Sequence, residues 1–136
     1  MADLLLDLIE LLTNRGIVAG DGVDCFRDYM PDEPDAVITF QEYSGNATAP
    51  HVTSVSRRVQ ITVRGTPQNA NDARIKAWQI FNSLDQPSRI LDSRSEIPAG
   101  TRWGMLFGLQ VPHKMRVDKS NRVVYGFNIA LITTRD

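Results

Sequence analysis

The sequence feature that most constrains the fold is an alternation of apolar and polar side chains near the middle of the chain. It lies in the segment TSVSRRVQITVRGT, residues 53–66. Its apolar positions are Val59, Ile61 and Val63, and its polar positions are Arg58, Gln60, Thr62 and Arg64. Because successive side chains of a β-strand point to opposite faces, this period of two predicts a strand buried on one face. The arginine-bearing face then serves solubility, or it contacts a partner subunit, a nucleic acid or an acidic protein surface.

Further strand signals flank this segment on both sides. The longer ones cover residues 35–43, 101–110 and 123–131, and possible short strands fall at 23–26 and 89–91. All are rich in β-branched or aromatic residues, which fit a pleated and half-buried surface. Turn-forming residues at 118–121 predict a hairpin before the last strand.

Two segments show helical rather than strand periodicity. Residues 3–14 carry leucines at helical spacing, and Gly16 is a natural stop for this helix. Residues 70–84 carry a second apolar stripe, for which Asn69 or Asn71 supplies a cap. The stripe of the second helix consists of Ala73, Ala77, Ile80, Phe81 and Leu84.

The order of these elements predicts an α+β fold. Short links between successive strands favour antiparallel pairing, with both helices on one face. We therefore expect two helices packed on one face of a mostly antiparallel sheet of about four strands, with a possible extra short strand or hairpin. The length of 136 residues suits one core, so residues 1–136 are expected to form a single domain.

Charge is divided unevenly along the chain. Residues 1–42 hold ten acids and two bases, whereas residues 43–136 hold six acids and thirteen bases. The first part therefore carries a net charge of −8 and the second +7, which sum to −1. This division suits head-to-tail self-association, because a ring needs two different complementary surfaces on each subunit. The alternative is that the two parts neutralise each other within one subunit.

The sequence offers little for catalysis, metal binding or cofactor binding. It contains no glycine-rich phosphate-binding motif and no GxSxG elbow. His51 and His113 are the two histidines, and Cys25 is the single cysteine, for which we expect a buried or half-buried structural role. We therefore predict no enzyme, no metal and no cofactor.

Neither a membrane span nor a signal peptide is expected. No apolar run approaches the roughly 20 residues that a membrane helix needs, and the apolar start lacks the basic region of a signal peptide. Synthesis in a cytoplasm is the expectation. In the acidic cluster of Asp32, Glu33 and Asp35, the first two acids lie between Pro31 and Pro34 and Asp35 follows directly, which indicates a solvated turn or a docking site for a partner.

Taken in order along the chain, three segments resemble the bacteriophage minor capsid or tail terminator family of long-tailed, siphovirus-like phages. They are MPDEPDAVITFQEYSG, RRVQITVRGTPQNANDARIKAWQIFNSL and WGMLFGLQVPHKMRVDKSNRVVYGFNIALIT. The resemblance implies a virion structural protein that forms a hexameric ring at the head-proximal end of the tail tube. Such a ring stops tube polymerisation and joins the tail to the head–tail connector protein. Genomic DNA passes through its lumen without specific binding.

This resemblance carries no catalytic residues, so the candidate sites are surfaces. The expected subunit interface or lumen comprises Glu42, Tyr43, His51, Arg57, Arg58 and Arg64, and the acidic turn is the candidate docking site. The expected location is the head–tail junction of a virion assembled in the host bacterial cytoplasm. A head-completion or stopper protein at the same junction is the alternative. A small α/β enzyme or a DNA-binding regulator fits less well, because no catalytic set or concentrated basic recognition element is present.

Overall fold

The computed structural model describes residues 4–45, 54–85 and 103–134. Its helices are α1 (Leu4–Asn14) and α2 (Ala70–Leu84). Its strands are β1 (Cys25–Arg27), β2 (Val37–Gly45), β3 (Ser54–Arg64), β4 (Trp103–Val117) and β5 (Val123–Thr134). The possible strand at 89–91 lies outside the described residues.

The strands form one five-stranded sheet in the order β1-β2-β3-β5-β4. The short strand β1 pairs in parallel with β2, and the other three pairings are antiparallel. The predicted α+β fold is therefore confirmed, with β1 as the extra short strand.

Strand β4 differs from its predicted end at residue 110. It continues for fifteen residues to Val117 and passes through Pro112. This proline is tolerated because β4 is an edge strand, where the missing N–H removes no bond to a second neighbour. The register against β5 shifts between Gln110 and His113, which places the proline at an irregularity of the ladder.

Both helices pack on one face of the sheet and close the core. Helix α2 covers β3, β4 and β5, whereas α1 covers β1 and β2. Phe127 of β5 has no exposed surface and meets Phe81 of α2 edge to face, with ring centroids 5.5 Å apart. The alternating positions of β3 join this core as predicted: Val59, Ile61 and Val63.

The predicted stop of α1 at Gly16 and the predicted cap of α2 at Asn69 are both present in the structure. Gly16 has a φ of +74°, and the N–H groups of Gly16 and Ile17 donate to the carbonyls of Thr13 and Leu12, both at 3.0 Å. These two hydrogen bonds form a Schellman motif, which needs a residue that tolerates positive φ. At the start of α2, the Asn69 side chain accepts the N–H of Asp72.

Cys25 lies in the core, as the sequence analysis expected for a structural thiol. It is fully buried at the start of β1. Burial, followed by the nearby Asp24 carboxylate, raises the pKa of the Cys25 thiol. Because the thiolate is the reactive form, this environment suits packing rather than nucleophilic chemistry.

Candidate functional site

The face of the sheet opposite the helices is not covered by either of them. It carries the alternate residues of β3, since Val59, Ile61 and Val63 point into the core. Uncharged amides line up in register across four strands of this face: Gln41, Gln60, Asn128 and Gln110. The Asn128 side-chain amide donates to Gln110 Oε1 at 3.0 Å, which ties two strands together. We call this surface the open face.

Arg64 stands at one end of the open face, but its side chain does not face outward. The residue is 4% exposed. Its guanidinium donates to four backbone carbonyls of the acidic turn, those of Pro31 (2.7 Å), Asp32 (3.1 Å), Pro34 (2.8 Å) and Asp35 (2.8 Å). Within the subunit this arginine anchors residues 31–35 to the sheet, and its part in a subunit interface or the lumen stays a prediction.

A second buried arginine, Arg122, completes this anchor. It donates to the Asp32 carbonyl at 2.7 Å and to carboxylate oxygens of Asp32 (3.0 Å), Asp35 (3.1 Å) and Asp118 (2.7 Å). The hydrogen bond to Asp32 raises the pKa of Arg122, whereas burial and the neighbouring Arg122 charge lower the pKa of Arg64. Two adjacent guanidinium groups, those of Arg64 and Arg122, thus bind the acidic turn. We call this pair of residues the arginine anchor.

Arg122 is not among the site residues predicted from the sequence. The sequence feature that could have identified it is Asp118, which lies four residues earlier at the predicted hairpin turn. There Asp118 Oδ1 accepts the N–H of Ser120 and of Arg122, while its Oδ2 accepts from the guanidinium. This arrangement orients Arg122 from its own hairpin towards a turn 90 residues away.

The acidic turn is partly neutralised inside the subunit. Asp32 and Asp35 both pair with Arg122, although their side chains remain 92% and 49% exposed. Glu33 is exposed and has no ion pair within the described residues. Of the three acids predicted as a docking site, Glu33 is therefore the one left uncompensated in this part of the chain.

The remaining predicted surface residues separate into different places. Arg57 binds Glu42 through two hydrogen bonds of 2.8 Å, at the end of β2 and β3 away from the acidic turn. Arg58, the next residue, is half-buried on the open face, and Tyr43 is 44% exposed. His51 lies outside the described residues. The structure thus unites Glu42 with Arg57, but it places Arg58 on the opposite side of the sheet.

The sequence matches the family model described as bacteriophage tail terminator protein over residues 11–135. The chain belongs to this family. It is accordingly a structural protein of a phage tail and a component of a virion.

The fold of this tail terminator family member also occurs in a solved virion. One chain of a structure titled "Virion of native gene transfer agent (GTA) particle" superposes with a TM-score of 0.63 at 15% sequence identity. The similarity covers 97% of this chain and 95% of the other. At this identity the likeness concerns the fold. No curated protein matches the sequence.

Within its described residues, this terminator family chain has no grouping of three or more His, Cys, Asp or Glu side chains able to hold a metal ion. The same residues include no helix of sufficient length and apolarity to span a membrane.

The hairpin of this terminator family member gives a testable pH dependence. Although burial acts to raise the pKa of Asp118, hydrogen bonds from Arg122 and Ser120 outweigh it, and the pKa is lowered. A depressed carboxyl pKa contributes stability that is present above the unfolded value of about 3.9 and is lost as pH falls through the folded value. We expect Asp118→Asn to lose this part of the acid sensitivity.

Urea unfolding between pH 7 and pH 2 measures this effect. The variant keeps an acceptor for the two N–H groups, so the hairpin is retained while the titrating charge is removed. Lys119→Gln in the same turn is the matched control, because lysine does not titrate in the acid range. An Asp118→Asn curve parallel to the wild-type curve over the acid range contradicts the assignment.

Proposed function

We propose that the protein is the tail terminator: it forms a ring at the head-proximal end of the tail tube. There it stops tube polymerisation and joins the tail to the head–tail connector. The observation that carries this proposal is the family match over residues 11–135. A homo-hexamer is the ring size we propose.

We place the open face towards the lumen of the ring, where genomic DNA passes. A surface that DNA must slide along works best without many exposed cations, since phosphate contacts dominate affinity for nucleic acid. The middle of the open face carries the amide row, and the arginine anchor at its end is buried beneath an acidic turn. Arg58 is a half-buried cation on this face, and the exposed Arg116 lies in register with Val124 and Arg64 at its end.

We assign the end of the sheet away from the acidic turn to contacts with proteins stacked along the tail axis. The Glu42–Arg57 pair and Tyr43 lie at this end, away from the acidic turn. The ion pair is partly exposed, with side-chain exposures of 35% and 29%. Such a pair contributes little to subunit stability. The role proposed for it is to orient a stacked neighbour such as the tube protein.

Capping of growing tubes tests the proposal directly. Purified tube protein is polymerised with and without the protein, and tube lengths are measured by electron microscopy. We expect the protein at one tube end, shorter tubes at rising concentration, and binding of the capped end to connectors. Unaltered tube growth together with binding to connectors alone contradicts the terminator role. That outcome favours the head-completion or stopper protein instead.

A further inference from the structure

The two edges of the sheet are chemically different. One edge is the outer side of β4, where residues 109–117 are exposed except for Pro112. It presents apolar side chains that are 44%, 53% and 47% exposed, namely Leu109, Val111 and Val117. Lys114 and Arg116 lie among them and are also exposed. A long edge strand with apolar side chains is an aggregation hazard unless a partner or charge protects it.

The other edge consists of β1 and the turn at residues 20–24 before it. It too presents a large apolar side chain, because Val23 is 63% exposed. Just after β1, Tyr29 is 61% exposed and packs edge to face on Phe26, with ring centroids 5.9 Å apart. Its charges are acidic. Asp21 is held by Arg27 at 3.1 Å, whereas Asp28 is exposed and has no ion pair within the described residues.

The charges of the two edges are complementary. Residues 20–30 contain three acids and one base, a net charge of −2. Residues 109–119 contain three bases and one acid, a net charge of +2 with His113 neutral. Each edge therefore repels its own copy and attracts the other edge, which disfavours a two-fold dimer and favours a head-to-tail contact.

We infer that subunits join through opposite edges of the sheet: the β4 edge of one copy packs on the β1 edge of the next. This inference rests on the proposed ring and names its subunit interface. The contact buries Leu109, Val111 and Val117 against the side that bears Val23 and Tyr29. It sets Lys114 near Asp28, whereas the Arg116 guanidinium lies 3.9 Å from Met30 Sδ of its own subunit. A heterologous contact of this kind closes into a ring when its rotation returns to the start.

Charge exchange tests the interface. Lys114→Glu and Asp28→Lys, each alone, place like charges across the contact, so we expect each to weaken assembly by about tenfold. The double variant restores the opposite charges in exchanged positions and is expected to recover most of the loss. Arg74→Glu on the exposed side of α2 makes the same charge change as Lys114→Glu and serves as the matched control.

The readout is native mass against concentration, in solution and on tube ends. Asp28 has a φ of +68°, so thermal melting of each single variant must first match that of the folded control. Recovery in the double variant is a result that a mere loss of folding does not produce. Equal assembly of all four variants, with rings present in the wild type, overturns the edge interface and leaves the proposed function intact.

Directional cross-linking gives a second, independent readout. A short bismaleimide is applied to a variant that carries both Asp28→Cys and Lys114→Cys. We expect a ladder extending beyond dimers for this variant, but no species beyond dimers for either single replacement. Native Cys25 is fully buried and stays unreactive. Dimers alone in the double variant, despite rings by native mass, overturn the inference. Absence of wild-type assembly both in solution and at tube ends instead contradicts the proposed function.

Discussion

Replacing Arg64 with alanine is expected to lower the free energy of unfolding by about 3–5 kcal/mol. The guanidinium is 4% exposed and supplies hydrogen bonds to four carbonyls of residues 31–35. Its loss leaves these acceptors to water or to empty space, and it removes half of the arginine anchor. Urea unfolding at pH 7 measures the change, and hydrogen exchange of the turn reports its release from the sheet.

Arg58→Ala is the matched control for Arg64→Ala. It lies on the same face of the same strand and is half-buried, and its side chain has no hydrogen bond or ion pair within the described residues. We expect a change within about 0.5 kcal/mol, as for ordinary surface substitutions. Arg64→Lys should fall between the two, because an ammonium group lacks the planar fork that reaches several carbonyls at once. Equal stabilities of the Arg64→Ala and Arg58→Ala variants contradict the role of the anchor.

Replacing Phe127 with alanine is expected to destabilise the subunit by about 3–5 kcal/mol. The side chain is fully buried, lies opposite Ile61 in the register of β3 and β5, and meets Phe81 edge to face. Its removal opens a cavity between α2 and the centre of the sheet. Domains of this size have a free energy of unfolding of only about 5–15 kcal/mol. We therefore expect a measurable fraction of the variant to be unfolded at host temperature.

Leu109→Ala is the control for Phe127→Ala, because it truncates an apolar side chain that is not buried. This side chain is 44% exposed on the edge strand β4, so its truncation should change subunit stability by no more than about 0.5 kcal/mol. Phe127→Leu keeps much of the volume and should be less damaging than Phe127→Ala. Thermal melting of dilute protein compares all three. A Phe127→Ala variant as stable as Leu109→Ala contradicts the assignment of this core centre.

Much of the fold was predictable from local patterns. The bounds of α2 agree with the prediction at 70–84, because its apolar stripe and its Asn69 cap lie within a few residues of each other. The alternation in β3 identified the buried face correctly. The extent of β4 was not predictable, since Pro112 marks a break in most strands. It is tolerated here only by an edge position that depends on the order of the whole sheet.

The candidate surface was predictable only in part. Alternation places Arg58 and Arg64 on the same face, and this is how they lie. It does not reveal that residues 31–35 cover the end of that face and bury Arg64. This contact spans about thirty residues along the chain, and the bonds of Arg122 span 87 to 90. Contacts at such separations leave no periodic trace in the sequence.

The sheet order also sets the sequence of events during synthesis. Strand β5 is made last, yet it lies between β3 and β4 and supplies most of their pairing. Until β5 leaves the ribosome, β2 is the single antiparallel neighbour of β3. The two residues of the arginine anchor, Arg64 and Arg122, cannot yet both bind the acidic turn. Folding dominated by such distant pairings is slow compared with helical folding. The nascent chain therefore completes its sheet only after β5 is synthesised, and each subunit becomes competent for assembly only once β5 is in place.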